Sequence, residues 1–323
     1  MTNQSLSWLE ETLWPRGERR DIWMILDSAR DHSIFRMLLE CRLQYSCLYS
    51  QARSPALEIA APYVVQLEYQ DRNSRRILER AWGHSWGILL KCDTRLDRLR
   101  RHLRRFLVVH DPHGGRLVFR YYDPRVLRVY LPTCVGEELR SVFGAIQLFW
   151  TEGEVPEDML EFGFDGARLV QRTVPLDSKR RSEAMPSQDA RNVRPVQRPE
   201  TYFGNAPLRI RQPQIAVFSQ VEVRKFEAWM LVHLKRFFPR RCAGVGEARL
   251  QEIVHYGVLR AAVYGITAKR DVCKFIDLMI VFGRDFDTEK GSRWARDILG
   301  KKRSSGARIQ ALLRAAKARL RNR

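Results

Sequence analysis

Nowhere in its 323 residues does the sequence contain a Cys-x-x-Cys pair. Its six cysteines, Cys41, Cys47, Cys92, Cys134, Cys242 and Cys273, lie scattered, with Cys41 and Cys47 the closest in sequence. Zinc modules and disulfide frameworks need regular close spacings, so neither is expected and reduced thiols are the reading. Long apolar runs are missing too. Stretches such as "FIDLMIVFG" (275–283) fall far short of the roughly 20 residues a membrane-spanning helix requires. The first residues, "MTNQSLSWLEETLWPRGERRD", lack the basic-then-apolar order of a secretory signal. These absences point to a soluble, cytoplasmic protein with no membrane partner. No GxSxG, HExxH or P-loop occurs, and "AGVGEAR" (243–249) has two glycines without the third of a dinucleotide loop or a preceding strand. No catalytic residue, cofactor or metal site is therefore assigned, and the chain is not expected to be an enzyme.

Acid is scarce relative to base: 37 Asp and Glu stand against 57 Lys and Arg, a formal net charge of +20. The excess is uneven. It gathers in "LRRHLRRF" (99–106), in "DSKRRSEAMPSQDARNVRPVQRP" (177–199), and in a tail from Lys301 to Arg323 that holds no acid at all. Such a surface suits nucleic acid, a membrane face or an acidic protein.

What is present is enough apolar residue to build cores, at 45% hydrophobic and 10% aromatic. The length favours two domains. In residues 1–20 a helix is expected, with Ser7 and Glu10 at capping-box spacing, Leu6, Leu9 and Leu13 on one face, and Pro15 as its breaker. Residues 21–175 alternate strand and helix patterns. Strands are expected at 22–27, 63–69, 86–91, 116–122 and 146–151, helices at 33–41, 74–82 and 94–108, and a hairpin at 159–174 turning at Asp165-Gly166. That alternation predicts an α/β domain with a mixed central sheet flanked by helices. Residues 176–214 have the Pro-, Ser-, Gln- and Arg-rich composition of a flexible basic linker. Residues 215–323 turn wholly helical and predict a C-terminal all-α lobe. There, Ser219 and Glu222 repeat the capping-box spacing, Gly283 suits a helix end, and Asp287 suits the cap of the following helix.

Several polar clusters invite a chemical reading. In "FRYYDPRVLRVYLPT" (119–133), Asp123 before Pro124 suits a helix N-cap, which accounts for it without catalysis. Arg120 and Arg125 then suit ion pairs or partner contacts. "HDPHGG" (110–115) is turn chemistry, not a pair of metal ligands in search of a third. His233 falls on the apolar face of its helix, as a satisfied core histidine does. The arginines of 94–108 read as a solvated helix face, or else as a surface for acidic partners. Trp82 and Trp86, joined through a Gly83 suited to a left-handed exit, read as core residues able to anchor a peptide.

Four segments carry a likeness. "WMILDSARD" (23–31), "APYVVQLE" (61–68), "WGHSWGILLKCD" (82–93) and "LRRHLRRFLVVHDPHGGRLVFRYYDPRVLRVYLPT" (99–133) occur in the order in which the sequence resembles the effector chaperones, or adaptors, of bacterial type VI secretion. Ser28 and Lys91-Cys92 depart from the family's pattern, and "YGITAKRDVCKFIDLMIVFGRDFD" (264–287) resembles its C-terminal extension more loosely. The resemblance implies a non-enzymatic factor that binds a cognate toxic effector in the cytoplasm, shields it and loads it onto the VgrG spike. The implied client-facing residues are Trp82, Trp86, Arg120, Asp123 and Arg125 in the first domain and Phe226, Trp229 and Met230 in the lobe. Core packing is the default role of the last three. A basic nucleic-acid-binding protein is the second reading, ranked below because no reading helix or aromatic platform is evident.

Overall fold

The run Ile22–Asp27 forms the strand β1, and all six of its residues are buried. Alternation along the strand explains how. Trp23 and Ile25 enter one apolar core, while Ile22, Met24 and Leu26 enter another on the opposite face of the sheet. The computed structural model describes residues 3–18, 20–49, 54–177, 208–288, 293–301 and 303–321. It divides into two compact units, Met1–Phe218 and Ser219–Arg323.

In the first unit β1 is followed by β2 (Tyr45–Cys47), β3 (Pro62–Leu67), β4 (Gly87–Lys91), β5 (Val108–His110), β6 (Arg116–Val118), β7 (Leu148–Glu152), β8 (Asp158–Phe164) and β9 (Leu169–Pro175). Seven of these build one sheet in the order β2-β3-β1-β4-β7-β8-β9, while β5 and β6 pair separately. The expected α/β class and flanking helices are present. The expected mixed pairing is not: every pairing within the sheet is antiparallel. Strands covered on both faces read as unbroken apolar runs, the signature usually left by parallel strands. Here helices cover both faces of an antiparallel sheet.

On one face lie α1 (Asn3–Leu13), α2 (His32–Glu40) and α4 (Arg72–Ala81), through Leu6, Leu9, Leu13, Ile34, Leu38, Ile77 and Leu78. A short α3 (Pro55–Ile59) precedes β3. On the other face lie α5 (Leu96–Arg104), α6 (Pro124–Tyr130) and α7 (Gly136–Phe143), through Leu99, Leu103, Leu127, Tyr130, Leu139 and Phe143. Asp31 and Asp71 cap α2 and α4, accepting from Ser33 N at 2.7 Å and Ser74 N at 2.8 Å.

Four expectations change in detail. Ser7 lies inside α1, which already begins at Asn3, so the Ser7–Glu10 spacing is not a cap. The helix expected to reach residue 108 ends at Arg104, and 108–110 become β5. The strand expected over 116–122 stops at Val118, after which Phe119, Tyr121 and Tyr122 all turn into the same core instead of alternating. The hairpin loop at Asp165 spans four residues, with Asp165 Oδ1 accepting from Ala167 N and Arg168 N at 2.8 Å each. An aspartate that ties two backbone donors favours this wider loop over a two-residue turn.

Most of the predicted linker, 178–207, lies outside the described residues. Its ends are folded onto the first unit. Leu176 is fully buried, and Leu208 and Ile210 enter the α5–α7 core. His110 N donates to Leu208 O at 3.0 Å, and Ile210 N donates to His110 O at 2.8 Å. Arg211 then grips Glu138 through two bonds, Nε to Oε1 at 2.7 Å and Nη2 to Oε2 at 3.0 Å, and also donates to Thr133 O. Gln214, 1% exposed, donates to the same carboxylate at 3.2 Å.

The chain continues as α8 (Gln212–Phe237), so Ser219 sits inside a helix that started seven residues earlier and caps nothing. The second unit is helical throughout its described residues: the rest of α8, then α9 (Pro239–Cys242), α10 (Glu247–Val263), α11 (Lys269–Phe282), α12 (Arg293–Leu299) and α13 (Ser305–Arg321). Its core holds Phe226, Met230, Leu234, Val254, Phe275, Ile276, Phe286 and Leu312. Gly257 lets α10 approach α11 closely, since a Cβ there would lie 2.7 Å from Ile276 Cγ1. Gly283 closes α11 with φ 111°, as expected of it. Asp287 is not exposed as a cap. It is fully buried, accepting from Arg260 Nε at 2.7 Å and Tyr264 Oη at 2.8 Å.

Candidate functional site

One end of the sheet collects polar side chains from four separate stretches: the end of β1, the turn 83–86, the end of β7, and the start of α6. Asp27 closes β1. Its backbone N donates to Trp86 O at 2.7 Å, its Oδ1 accepts from Ala29 N at 3.1 Å, and its Oδ2 lies 3.6 Å from Arg120 Nη1. The Asp27 side chain is 1% exposed, whereas that of Arg120 is 52% exposed. Burial pushes the Asp27 carboxyl upward despite the opposing pull of Arg120. A cation thus stands half in water above an acid that has left it.

Asp123 is the N-cap of α6, as its place before Pro124 implied. It accepts from Arg125 N and Arg125 Nε at 2.9 Å each, and its Oδ2 meets Arg125 Nη2. Burial pushes this carboxyl up, but the hydrogen bonds from Arg125 outweigh it and hold it below the ordinary aspartate value. Arg30 acts electrostatically on both aspartates. The result is a pair of guanidinium groups with part of their surface outward, Arg125 fixed from below by its bonds to Asp123 and Arg120 standing 3.6 Å from Asp27. Such groups suit carbonyl or carboxylate acceptors of a partner.

The tryptophans lie deeper. Trp82 and Trp86 are 5% and 7% exposed and belong to the core on the α1, α2 and α4 face. Trp82 Nε1 donates to Pro156 O at 2.7 Å. Between them Gly83 takes the expected left-handed backbone, φ 82°, and Ser85 takes another, φ 54°. Glu152, which the sequence did not single out, fixes this turn by accepting from Gly83 N and Ser85 Oγ at 2.6 Å each. Arg128 bonds the carbonyls of Glu152 and Gly153 behind it. A lone glutamate at a strand end has no spacing signal that would have revealed it.

Further round the same unit, Arg95, Arg98 and Arg101 are exposed, whereas Arg100, Arg104 and Arg105 are half-buried and Arg100 Nε donates to Cys47 O at 2.7 Å, so only part of this arginine face is solvated. Asp111 Oδ1 accepts from His113 N and Gly115 N at 2.8 and 2.7 Å, which makes "HDPHGG" the turn of the β5–β6 hairpin.

In the second unit Phe226 and Met230 are buried, 8% and 0% exposed, in their default core role. Trp229 is 53% exposed, and Val232 and Phe237 on the same helix are more exposed still. Trp229, Val232, His233, Arg236 and Phe237 follow i, i+3, i+4, i+7 and i+8 spacing, so they form a continuous stripe along α8. Within the first unit Arg120, Asp123 and Arg125 share the polar sheet end, and Trp82 and Trp86 support its floor. Within the second unit Phe226 and Met230 are core residues, and Trp229 belongs to the exposed stripe of α8. The stripe was readable as a helical period, but its outward face was not, because core and surface stripes share that period.

Among the described residues, one group of three metal-capable donors lies within 4.8 Å of one another: His233, Cys273 and Asp277. No helix among the described residues is long and apolar enough to cross a membrane. A family model described only as a domain of unknown function, DUF4123, matches residues 22–141. That segment runs from β1 into α7 and contains Asp27, Trp82, Trp86, Arg120, Asp123 and Arg125. No curated protein and no solved structure matches the chain.

Proposed function

We propose that the protein is a type VI secretion adaptor that binds a toxic effector in the cytoplasm, shields it, and loads it onto the VgrG spike, without catalysing a reaction itself. The observation that carries this reading is the position of the family match. It covers the stretch in which all four resembling segments begin and end, and the matched family is one known in such adaptors. Two features of the molecule support it. Arg125 offers a guanidinium held by two bonds to the buried Asp123, with the half-exposed Arg120 near Asp27 beside it, which suits gripping a polypeptide at little entropic cost. The exposed stripe of Trp229, Val232 and Phe237 suits the apolar surface that a chaperone must cover in its client.

The test is delivery. In a strain lacking this gene, one toxic effector should be lost from secretion while unrelated cargo of the same apparatus continues. Restoring the gene should restore delivery, and Trp229→Ser should restore it only in part. Full delivery of every cargo without the gene would remove the adaptor role.

A further inference from the structure

In the helical unit α8 and α11 bring a nitrogen, a sulfur and an oxygen to one point. Cys273 and Asp277 are four residues apart on α11 and so share a face, and His233 meets them from α8. His233 Nε2 lies 3.0 Å from Asp277 Oδ1 and 3.7 Å from Cys273 Sγ, and Cys273 Sγ lies 3.9 Å from Asp277 Oδ2. Cysteine, histidine and aspartate also make nucleophilic triads, but those place the nucleophile and the acid on opposite ring nitrogens. Here both approach the same nitrogen. A relay through the ring is therefore not available, whereas convergence on a single centre is.

The separations fit a known centre. Zinc bonds to sulfur at about 2.3 Å and to nitrogen or oxygen at about 2.0–2.2 Å, and a tetrahedron of those lengths sets its ligand atoms roughly 3.3–3.6 Å apart. With one carboxylate oxygen of Asp277 serving as ligand, the three donor atoms already lie within 4.8 Å of one another, so a side-chain adjustment of about an ångström or less brings them to that spacing. The ring is already oriented, stacked against Trp229 at 5.2 Å and 29° and against Phe237 at 4.7 Å between centroids. A thiolate and a carboxylate together neutralise a divalent cation, so the dication enters without a net buried charge. Cys273 is buried while the His233 and Asp277 side chains are 16% and 24% exposed, so the group can be reached from solvent.

We infer that His233, Cys273 and Asp277 form a three-ligand site for a divalent transition-metal ion of the zinc class, with the fourth position open to water or to a donor from a bound partner. The mixed N, S and O set selects zinc over magnesium or calcium, which take oxygen ligands. Binding releases the Cys273 thiol proton to solvent as the metal–sulfur bond forms. The site does not depend on the adaptor reading, because it is defined by the helical unit alone.

Full-length protein, stripped with a chelator and dialysed against zinc, is expected to retain one equivalent per chain. Cobalt added in its place should produce a thiolate-to-metal charge-transfer band. Cys273→Ala should abolish that band, and Asp277→Asn should weaken zinc binding by at least about tenfold. Circular dichroism of each variant reports whether it folds. A readout that needs no variant is alkylation of the six cysteines followed by peptide mass analysis: zinc should protect Cys273 selectively. Absence of retained zinc at micromolar metal, or retention that neither protects Cys273 nor responds to Cys273→Ala, would overturn the assignment.

Discussion

Replacing Gly87 by alanine should open the centre of the sheet. Gly87 begins β4 opposite Leu26 of β1, in a ladder that pairs Ile22–Leu26 with Gly87–Lys91. A Cβ at Gly87 would lie 1.8 Å from Ile25 O, 2.8 Å from Ile25 C and 3.1 Å from Leu26 Cα, all backbone atoms that cannot rotate away. Bringing the closest approach to the 3.0 Å limit for real Cβ contacts requires the strands to part by 3.0 − 1.8 = 1.2 Å. Two backbone bonds at that end, including Asp27 N to Trp86 O at 2.7 Å, cannot survive such a displacement. Their loss costs about 1 kcal/mol each, and strain in the overpacked sheet adds about 1–3 kcal/mol. The total, about 3–5 kcal/mol, is a large share of the roughly 5–15 kcal/mol by which a domain is stable. Thermal unfolding followed by circular dichroism should shift down by roughly 10 °C. Gly136→Ala, where a Cβ would meet only Ala167 O at 3.4 Å, is the control and should stay level or rise slightly. If Gly87→Ala melts with the wild type, the close approach of β1 and β4 is wrong, and with it the placement of Asp27 beside Trp86.

Further outcomes follow from other contacts. His102 is 2% exposed, bonded to Val142 O at 2.8 Å, and held by burial at about 4, below the usual imidazole value. Its folded value is depressed, so the unfolded chain takes up the proton first and stability falls as pH drops through 6.5 towards 4. Urea unfolding at pH 5 and pH 8 should differ by about 2 kcal/mol more in the wild type than in His102→Gln. Glu138→Ala removes the acceptor of Arg211, Gln214 and Val135 N together and should cost about 2 kcal/mol, a figure reduced because Arg211 is 37% exposed. Limited proteolysis should then cut near residue 211 sooner than in the wild type. Asp27→Asn should unfold at the same or a higher urea concentration at pH 7, since burial already opposes the charged form. A clear loss of stability there would mean that the charge itself holds Arg120.

How far these contacts could be seen in the sequence depended on their range. β1, β3 and β4 were legible because each strand of five or six residues is built on a short apolar stretch, and Asp123 was legible because an N-cap is a local device. β2 was not, since its three residues are only half-buried and belong to an edge. α7 was missed as well: Val135 stands at its cap, and the donor that needs satisfying, Val135 N, is met by Glu138 instead of a serine or aspartate. Ser219 and Glu222 misled for the complementary reason. Capping-box spacing arises by chance inside a long helix, and nothing local shows that the helix has already begun. The ion pair between Arg120 and Asp27, the grip of Glu152 on the 83–86 turn, and the meeting of His233 with Cys273 and Asp277 all join distant segments. Such meetings are decided by tertiary packing and carry no spacing signature.

Whether this chain works by holding another polypeptide is tested most directly by co-expressing it with candidate type VI effectors of its source and measuring the mass of whatever co-purifies. A complex whose mass equals the sum of whole copies of both chains, weakened by Arg125→Glu or Trp229→Ser with the fold intact, is the predicted result. Two species that elute separately, together with retardation of RNA or DNA that falls steeply with salt, would contradict it and favour a nucleic-acid partner.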